Sequence, residues 1–470
     1  MRNVAPAQRL ECLGCRKREQ KIIRLQQRVQ MLEREVQRLQ REKKRQAAPF
    51  SKGEPNPNPK RPGRKSGSQY GTKSHRLPPA PHEIDETYEA PLPTHCPDCG
   101  GAVQKTDVAS QYQVEIPRKP IHREFHVHIG YCQNCGRRVQ GRHKLQTCDA
   151  LGAAAAQVGP DAQAAAVFLN KRLGLSHQKI TRCFVELFGI TLSPGGSAQM
   201  MLRAGRRAVP VYNRISQVIA CAEQVVADET SWRIGGQKAW VHVITCSMGT
   251  LYGVEYTRDA TFVQRVLGSE YDEIIVHDGY VIYDQFQAAL HQQCLNHPMQ
   301  RCRELLAAAH GRAVCFPRDV LLVFQRALEL RDRYILGEVS RRGLWNMRGR
   351  LINELTRLAL PPKCNAEHET LSRHLMNYLC EWFLFLGFPE IDATNHRAEQ
   401  ALRYIVVNRK VWGGNRTESG ARAQEVLTSV LVTCEQQEQR PIDYFSRLLR
   451  NIRPPPLIPA RLLTGSAETN

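Results

Sequence analysis

The stretch VVADETSW, Val225 to Trp232, sets an acidic pair directly behind a short β-branched run in an otherwise basic chain. β-Branched residues suit a pleated, buried backbone, so a strand is expected from Gln224 to Val226, with Asp228 displayed at its end and Glu229 and Thr230 starting a loop. Downstream, AWVHVITC (Ala239–Cys246) and LYGVEYT (Leu251–Thr257) alternate as two further strands, read as antiparallel. ATFVQRVLG then reads as a short helix. EIIVHDGY (Glu273–Tyr280) is another apolar strand ending in an aspartate, Asp278, with a helix expected after it through Phe286.

The order βββαβαβ is that of a ribonuclease H-like core, whose first and fourth strands are adjacent, so Asp228 and Asp278 are expected at neighbouring strand ends. Two unpaired carboxylates held that close repel strongly in a low-dielectric site, and a divalent cation is their natural partner. Oxygen ligands suit magnesium or manganese. A third carboxylate is sought on a helix, and Glu399 in TNHRAEQALRYIVVNRK (Thr394–Lys410) fits. There Ala398, Ala401, Leu402 and Ile405 share one helical face, and Arg403 follows Glu399 by one turn.

The rest of the chain frames this core. At 470 residues it exceeds the roughly 250–300 at which a single hydrophobic core stops growing, so several domains are expected. A net charge of +21 points to a polyanionic partner, with nucleic acid leading and a merely solvated basic surface as the plain alternative. No run of about 18 apolar residues occurs, and the N-terminus has no apolar signal core, so a cytoplasmic protein is expected. Ile22, Leu25, Val29, Leu32, Val36 and Leu39 step by three and four, the seam of a short coiled-coil dimer or of one amphipathic helix docked on its own protein. Cys12 and Cys15 form a lone C-x-x-C without a second pair nearby. Ala47 to Pro91 is rich in Pro, Gly, Ser, Lys and Arg and cannot bury enough surface to order itself.

CPDCGG (Cys96–Gly101) and CQNCG (Cys132–Gly136) are paired knuckles. Cys96, Cys99, Cys132 and Cys135 can offer four thiolates to one tetrahedral zinc, with glycines easing the turns. QYQVEI and EFHVHIGY between them alternate like strands, so the module resembles a zinc ribbon. Four sulfurs leave no open position, making that zinc structural. The helical stretch that follows reads either as a helix-turn-helix or as a plain bundle. Arg301 to Asp392 is a helical insertion in which Val320, Val323, Phe324, Ala327 and Leu328 make an apolar stripe.

These pieces, in this order (paired knuckles, ADETSW, HDGY, CLNH, the asparagine-to-glutamate segment and NRK), resemble a transposase of the insertion-sequence-66 family, within the DDE superfamily. The resemblance runs from the coiled-coil segment to about Arg450. It implies that Asp228, Asp278 and Glu399 are the catalytic, magnesium-binding triad holding two ions, that Cys294 and His297 support the site as a C-x-x-H pair, and that Arg403, Arg409 and Lys410 meet DNA phosphates. RKVWGGNRTESGARAQ is read as a DNA-contacting loop. The chain departs from the family at His396, where a second asparagine is usual, at Gln400, where arginine is usual, and in lacking an aromatic after Cys294. The expected architecture is multidomain α/β: a coiled-coil segment (1–46), basic linker (47–91), zinc ribbon (92–147), helical DNA-binding region (148–222), first part of the catalytic core (223–300), helical insertion (301–392), glutamate-bearing last part (393–450) and tail (451–470). Expected partners are terminal repeats and target DNA, further copies of the chain and accessory proteins of the element, with no membrane. The competing classes are a DNA-binding regulator that has lost catalysis and a host nuclease with the same core.

Overall fold

The computed structural model describes residues 79–450 except 92, 96, 103–106, 114–119 and 153–156, together with 25, 28, 29, 32, 456 and 457. The chain divides into two compact units, residues 1–115 and 116–470. Cys12, Cys15, Cys96 and most of the expected coiled-coil seam lie outside the described residues. Leu25, Val29 and Leu32 are helical and exposed. In the first unit, a bridge pairs His95 with Ala102 around the first knuckle, and Gly100 turns with φ 72°.

In the second unit, strands β1 (Ile129–Tyr131) and β2 (Arg138–Gln140) form an antiparallel hairpin with the second knuckle at its tip. The turn is closed by the Gly136 N–H donating to the Cys132 carbonyl at 2.9 Å, with Gly136 at φ 66°. The left-handed backbone that the knuckle glycines were expected to supply is therefore present at both. Gln111–Gln113 of the first expected ribbon strand are irregular, and the rest of that segment lies outside the described residues.

Helices α1 (Pro160–Lys171), α2 (His177–Phe188) and α3 (Pro194–Ala220) lead into the sheet. The five strands are β3 (Gln224–Ile234), β4 (Gln237–Thr245), β5 (Thr250–Glu255), β6 (Ile274–His277) and β7 (Leu290–Gln293), ordered β5-β4-β3-β6-β7. β3, β4 and β5 pair antiparallel, and β3–β6 and β6–β7 pair parallel. The first and fourth strands of the sheet are thus neighbours, as expected. Helix α4 (Thr261–Leu267) makes the crossover to β6, and its Phe262 packs where a side chain on Gly253 would stand. Two expectations are corrected. β3 does not stop at Val226, because its other edge stays paired with β4 as far as Ile234↔Gln237, where Gly235 and Gly236 turn the hairpin. The segment after Asp278 forms only a 3-10 turn, Tyr283–Gln285.

Strand alternation splits the core into two layers. Val225, Ala227, Ile244, Leu251 and Ile275 face α3, helix α11 (Glu418–Gln436) and helix α12 (Pro441–Leu449). Helix α11 is buried along its length from Ala423 to Cys434, and its buried polar side chains are hydrogen-bonded, Glu425 and Ser429 accepting the Val254 and Tyr252 N–H groups at 2.9 and 2.8 Å. It crosses α3 closely at Gly205, where a Cβ would lie 3.0 Å from that of Ala423. Val226, Trp232, Val241, Val243, Tyr252 and Val276 face the other layer. That layer holds α5 (Asn296–Ala308), α6 (Cys315–Ile335), α7 (Arg341–Ala359), α8 (Ala366–Asn377), α9 (Leu384–Gly387) and α10 (His396–Trp412). The expected insertion stripe is buried there, with Val320, Val323, Phe324 and Ala327 fully covered and Leu328 packed against them. Among the described residues no helix is long and apolar enough to cross a membrane.

Candidate active site

Asp228 stands at the middle of β3 rather than at its end. The parallel ladder to β6 runs from Gln224↔Ile274 to Val226↔Val276 and then stops, so Asp228 lies just past the point where that neighbour falls away. Its parity with Val226 and Trp232 turns it toward α10, whereas Glu229 turns to the opposite face. Asp278 follows the last residue of β6, as expected, and its Oδ1 accepts the Tyr280 N–H at 3.1 Å. Gly279 between them has φ 82°, and a side chain there would stand 2.7 Å from Gln293 Oε1, so only glycine fits this corner. Behind it the Gly279 N–H donates to His277 Nδ1 at 3.2 Å, leaving His277 Nε2–H to donate to His291 Nδ1 at 3.0 Å and His291 Nε2–H to the Phe286 carbonyl at 2.9 Å. This assignment keeps both rings neutral, in keeping with burial that lowers the His277 pKa.

Glu399 sits in the first turn of α10, half-buried, with Ala398, Ala401, Leu402 and Ile405 buried beneath it as the helical pattern anticipates. Asn395, at the helix start and fully buried, points its Nδ2 at Asp228 Oδ2, 3.4 Å away, and its Oδ1 has no protein partner. Asp228 is the focus of the electrostatics. Burial, then Asp278, Glu229 and Glu399, push its pKa up to about 8, opposed by the Glu229 N–H that donates to Oδ1 at 2.8 Å. Asp228, Asp278 and Glu399 thus share one electrostatic neighbourhood. Glu229 is a fourth carboxylate that the sequence reading left in a loop. It is held by Arg258, whose Nη2 and Nε donate at 2.6 and 2.9 Å, and by the Tyr283 hydroxyl at 3.2 Å. Burial and Asp278 raise its pKa, and Arg258 opposes them.

The donor chemistry fits a hard cation. Among the described residues no cation is among the influences on Asp228, and the arginine that feels Asp278, Arg258, is paired with Glu229, so the oxygen ligands gathered here are what magnesium or manganese neutralise. Cys294 directly follows β7, buried, and its N–H donates to the His277 carbonyl at 2.8 Å. His297 is exposed in the first turn of α5. His374 on α8, which carried no sequence signal in its helical context, lies near enough to His297 and Asp278 to feel both, although burial is what chiefly lowers its pKa.

Arg403 and Lys410 are exposed on α10. Arg409, expected at phosphates, instead turns Nη1 inward to the Thr230 hydroxyl at 3.1 Å and to Ser231, fastening α10 to β3. The glycine-rich loop after it is also structural. The Asn415 N–H donates to the Arg233 carbonyl, its carbonyl accepts from Gly235, and its Oδ1 accepts from Trp232 Nε1 at 2.8 Å. Gly414 at φ 140° passes too close to Arg233 for any side chain. In the β1–β2 hairpin, backbone and thiol donors from Cys135 and the Asn134 N–H lower the Cys132 pKa, favouring its thiolate.

A mixed sheet with a helical majority fits a DDE-type transposase core. A family model described as the IS66 family of transposases matches residues 155–423, and the chain belongs to that family. No curated protein matches the chain.

Proposed function

We propose that this transposase has a ribonuclease H-like core, binds the ends of its insertion sequence and catalyses metal-dependent strand cleavage and strand transfer with Asp228, Asp278 and Glu399. The observation that carries the reading is the Asp228 carboxylate, pushed up to about 8 by burial and by three neighbouring carboxylates with no cation beside it. Two magnesium or manganese ions held by these three side chains would supply an activated attacking oxygen and a neutralised leaving oxygen. Asn395 orients Asp228, and the Gly279 corner fixes Asp278. Arg258 and Tyr283 hold Glu229 out of the cluster on the other face of β3. The exposed Arg403 and Lys410 meet phosphates beside the scissile bond. The reaction is a pair of in-line displacements at phosphorus, first by water and then by the freed 3′-hydroxyl, with no covalent protein intermediate.

Cys96, Cys99, Cys132 and Cys135 hold one structural zinc in this reading. The Ile22–Leu39 seam joins copies of the chain, and accessory proteins of the element take part. The test is magnesium-dependent nicking and joining on a plasmid carrying the element ends, with neighbouring accessory proteins added. Asp228→Asn, Asp278→Asn and Glu399→Gln are each expected to lose at least a thousandfold in cleavage while keeping end binding. Full cleavage by any of the three refutes the triad. End binding without cleavage by the intact chain makes it a regulator, and hydrolysis without joining makes it a nuclease.

A further inference from the structure

Three side chains with metal-binding chemistry converge beside the carboxylates. Cys294 directly follows β7, and His297 and Glu399 lie in the first turns of α5 and α10. One ligand atom of each lies within 4.8 Å of the others. The corner that carries them is fixed by backbone bonds, the Cys294 N–H to the His277 carbonyl at 2.8 Å and the Leu295 N–H to the Ala393 carbonyl at 3.1 Å. The second bond ties the β7–α5 corner to the segment that leads into α10. Cys294 is buried, Glu399 half-buried and His297 exposed, so the trio opens to solvent on the histidine side.

A sulfur, an imidazole nitrogen and one carboxylate oxygen are the wrong set for magnesium, which takes oxygen and water. They are the set of a borderline-soft ion, and three such ligands with an open fourth position match zinc. Asp228 and Asp278 offer oxygen alone. Glu399 belongs to both sets.

We propose that Cys294, His297 and Glu399 form a site for one soft divalent ion of the zinc class, separate from the ribbon cysteines, and that its occupation engages Glu399 and restrains the magnesium-dependent reaction. The site stands on the three ligands themselves. Its restraining effect rests on Glu399 being a catalytic carboxylate.

The experiment uses the full chain, dialysed against limiting zinc, with zinc per chain measured for the intact protein, Cys294→Ser and His297→Gln. One tight zinc fewer is expected in each variant. His297 is exposed, so its variant keeps the comparison valid should the buried Cys294 variant fold poorly. Cobalt(II) substitution gives a readout independent of turnover: the intact chain minus His297→Gln is expected to leave a tetrahedral cobalt spectrum with a single thiolate ligand, unlike that of a four-thiolate ribbon. Equal zinc content and identical cobalt spectra in all three proteins overturn the site. In nicking assays, micromolar zinc is expected to slow the intact chain at least tenfold relative to its own zinc-free rate, and each variant by less than twofold relative to its own. Equal zinc sensitivity in all proteins overturns the restraint. A chain that never nicks with magnesium refutes the proposed function, while zinc content and cobalt spectra still decide the site.

Discussion

Replacing Asp228 by asparagine should make the magnesium-free protein more stable. The carboxyl ordinarily titrates at 3.8 and is pushed up to about 8 in the fold. The folded protein therefore holds this proton more tightly than the unfolded chain does. Stability falls as pH rises from about 4 to about 8 and is flat beyond. At about 1.4 kcal/mol per pH unit, the penalty at pH 7 reaches about 4 kcal/mol for a side chain sealed from water. Asp228 is only half-buried, and solvent at its outer edge reduces the penalty to roughly 1–3 kcal/mol. Asparagine keeps an oxygen for the Glu229 N–H and removes the charge. Thermal unfolding in magnesium-free buffer at pH 7.5 is expected to give a Tm higher by roughly 1–4 °C for Asp228→Asn. The gap should close by pH 4, and millimolar magnesium should narrow it at pH 7.5 by stabilising the intact protein alone. A variant less stable than the intact protein at pH 7.5, or a gap that ignores pH, would falsify the charge-repulsion argument.

Other outcomes follow from the same coordinates. Arg258→Ala strands Glu229 as an unpaired buried carboxylate and should cost about 2–4 kcal/mol, most of it restored by adding Glu229→Gln. A urea-denaturation double-mutant cycle without coupling between these residues would contradict this. Gly253→Ala drives a methyl group into the Phe262 ring and should cost about 1–3 kcal/mol or more, whereas an exposed mid-helix control, Gly349→Ala, whose methyl would meet no neighbouring element, should gain up to about 1 kcal/mol. Asn415→Ala, which removes the acceptor for Trp232 Nε1, should cost about 1–2 kcal/mol and shift tryptophan emission, and unchanged emission would argue against the docked loop. Cys135→Ser should release the ribbon zinc, seen as one ion fewer per chain by elemental analysis with Cys294 intact.

Asp278 was legible because IIVH is an unbroken apolar run and the chain must turn at Asp-Gly immediately after it. The length of β3 was not. DETSWRI carries polar side chains on both faces, and whether such a segment stays extended depends on a partner, here β4, that local sequence does not announce. The face of α10 was readable from Ala398, Ala401, Leu402 and Ile405, which helical spacing places together. The inward contact of Arg409 was not legible, because an arginine near the end of a basic helix looks the same whether or not it also meets a strand hydroxyl, and only the docking of α10 on β3 reveals it. Glu229, Arg258 and Tyr283 come together through three separate elements, so no spacing rule could gather them.

The insertion that separates the two parts of the core also orders events at the ribosome. Asn395 meets Asp228 across 167 positions of chain, which at roughly 5–20 residues per second take on the order of 10–30 s to synthesise. For the later part of that interval the nascent chain already carries both Asp228 and Asp278, yet it lacks Glu399 and the α11 helix that fills one face of the sheet. A message cut short inside the insertion therefore yields neither the third carboxylate nor a closed interior. Only a completed translation event brings all three carboxylates and both faces of the sheet together in one molecule.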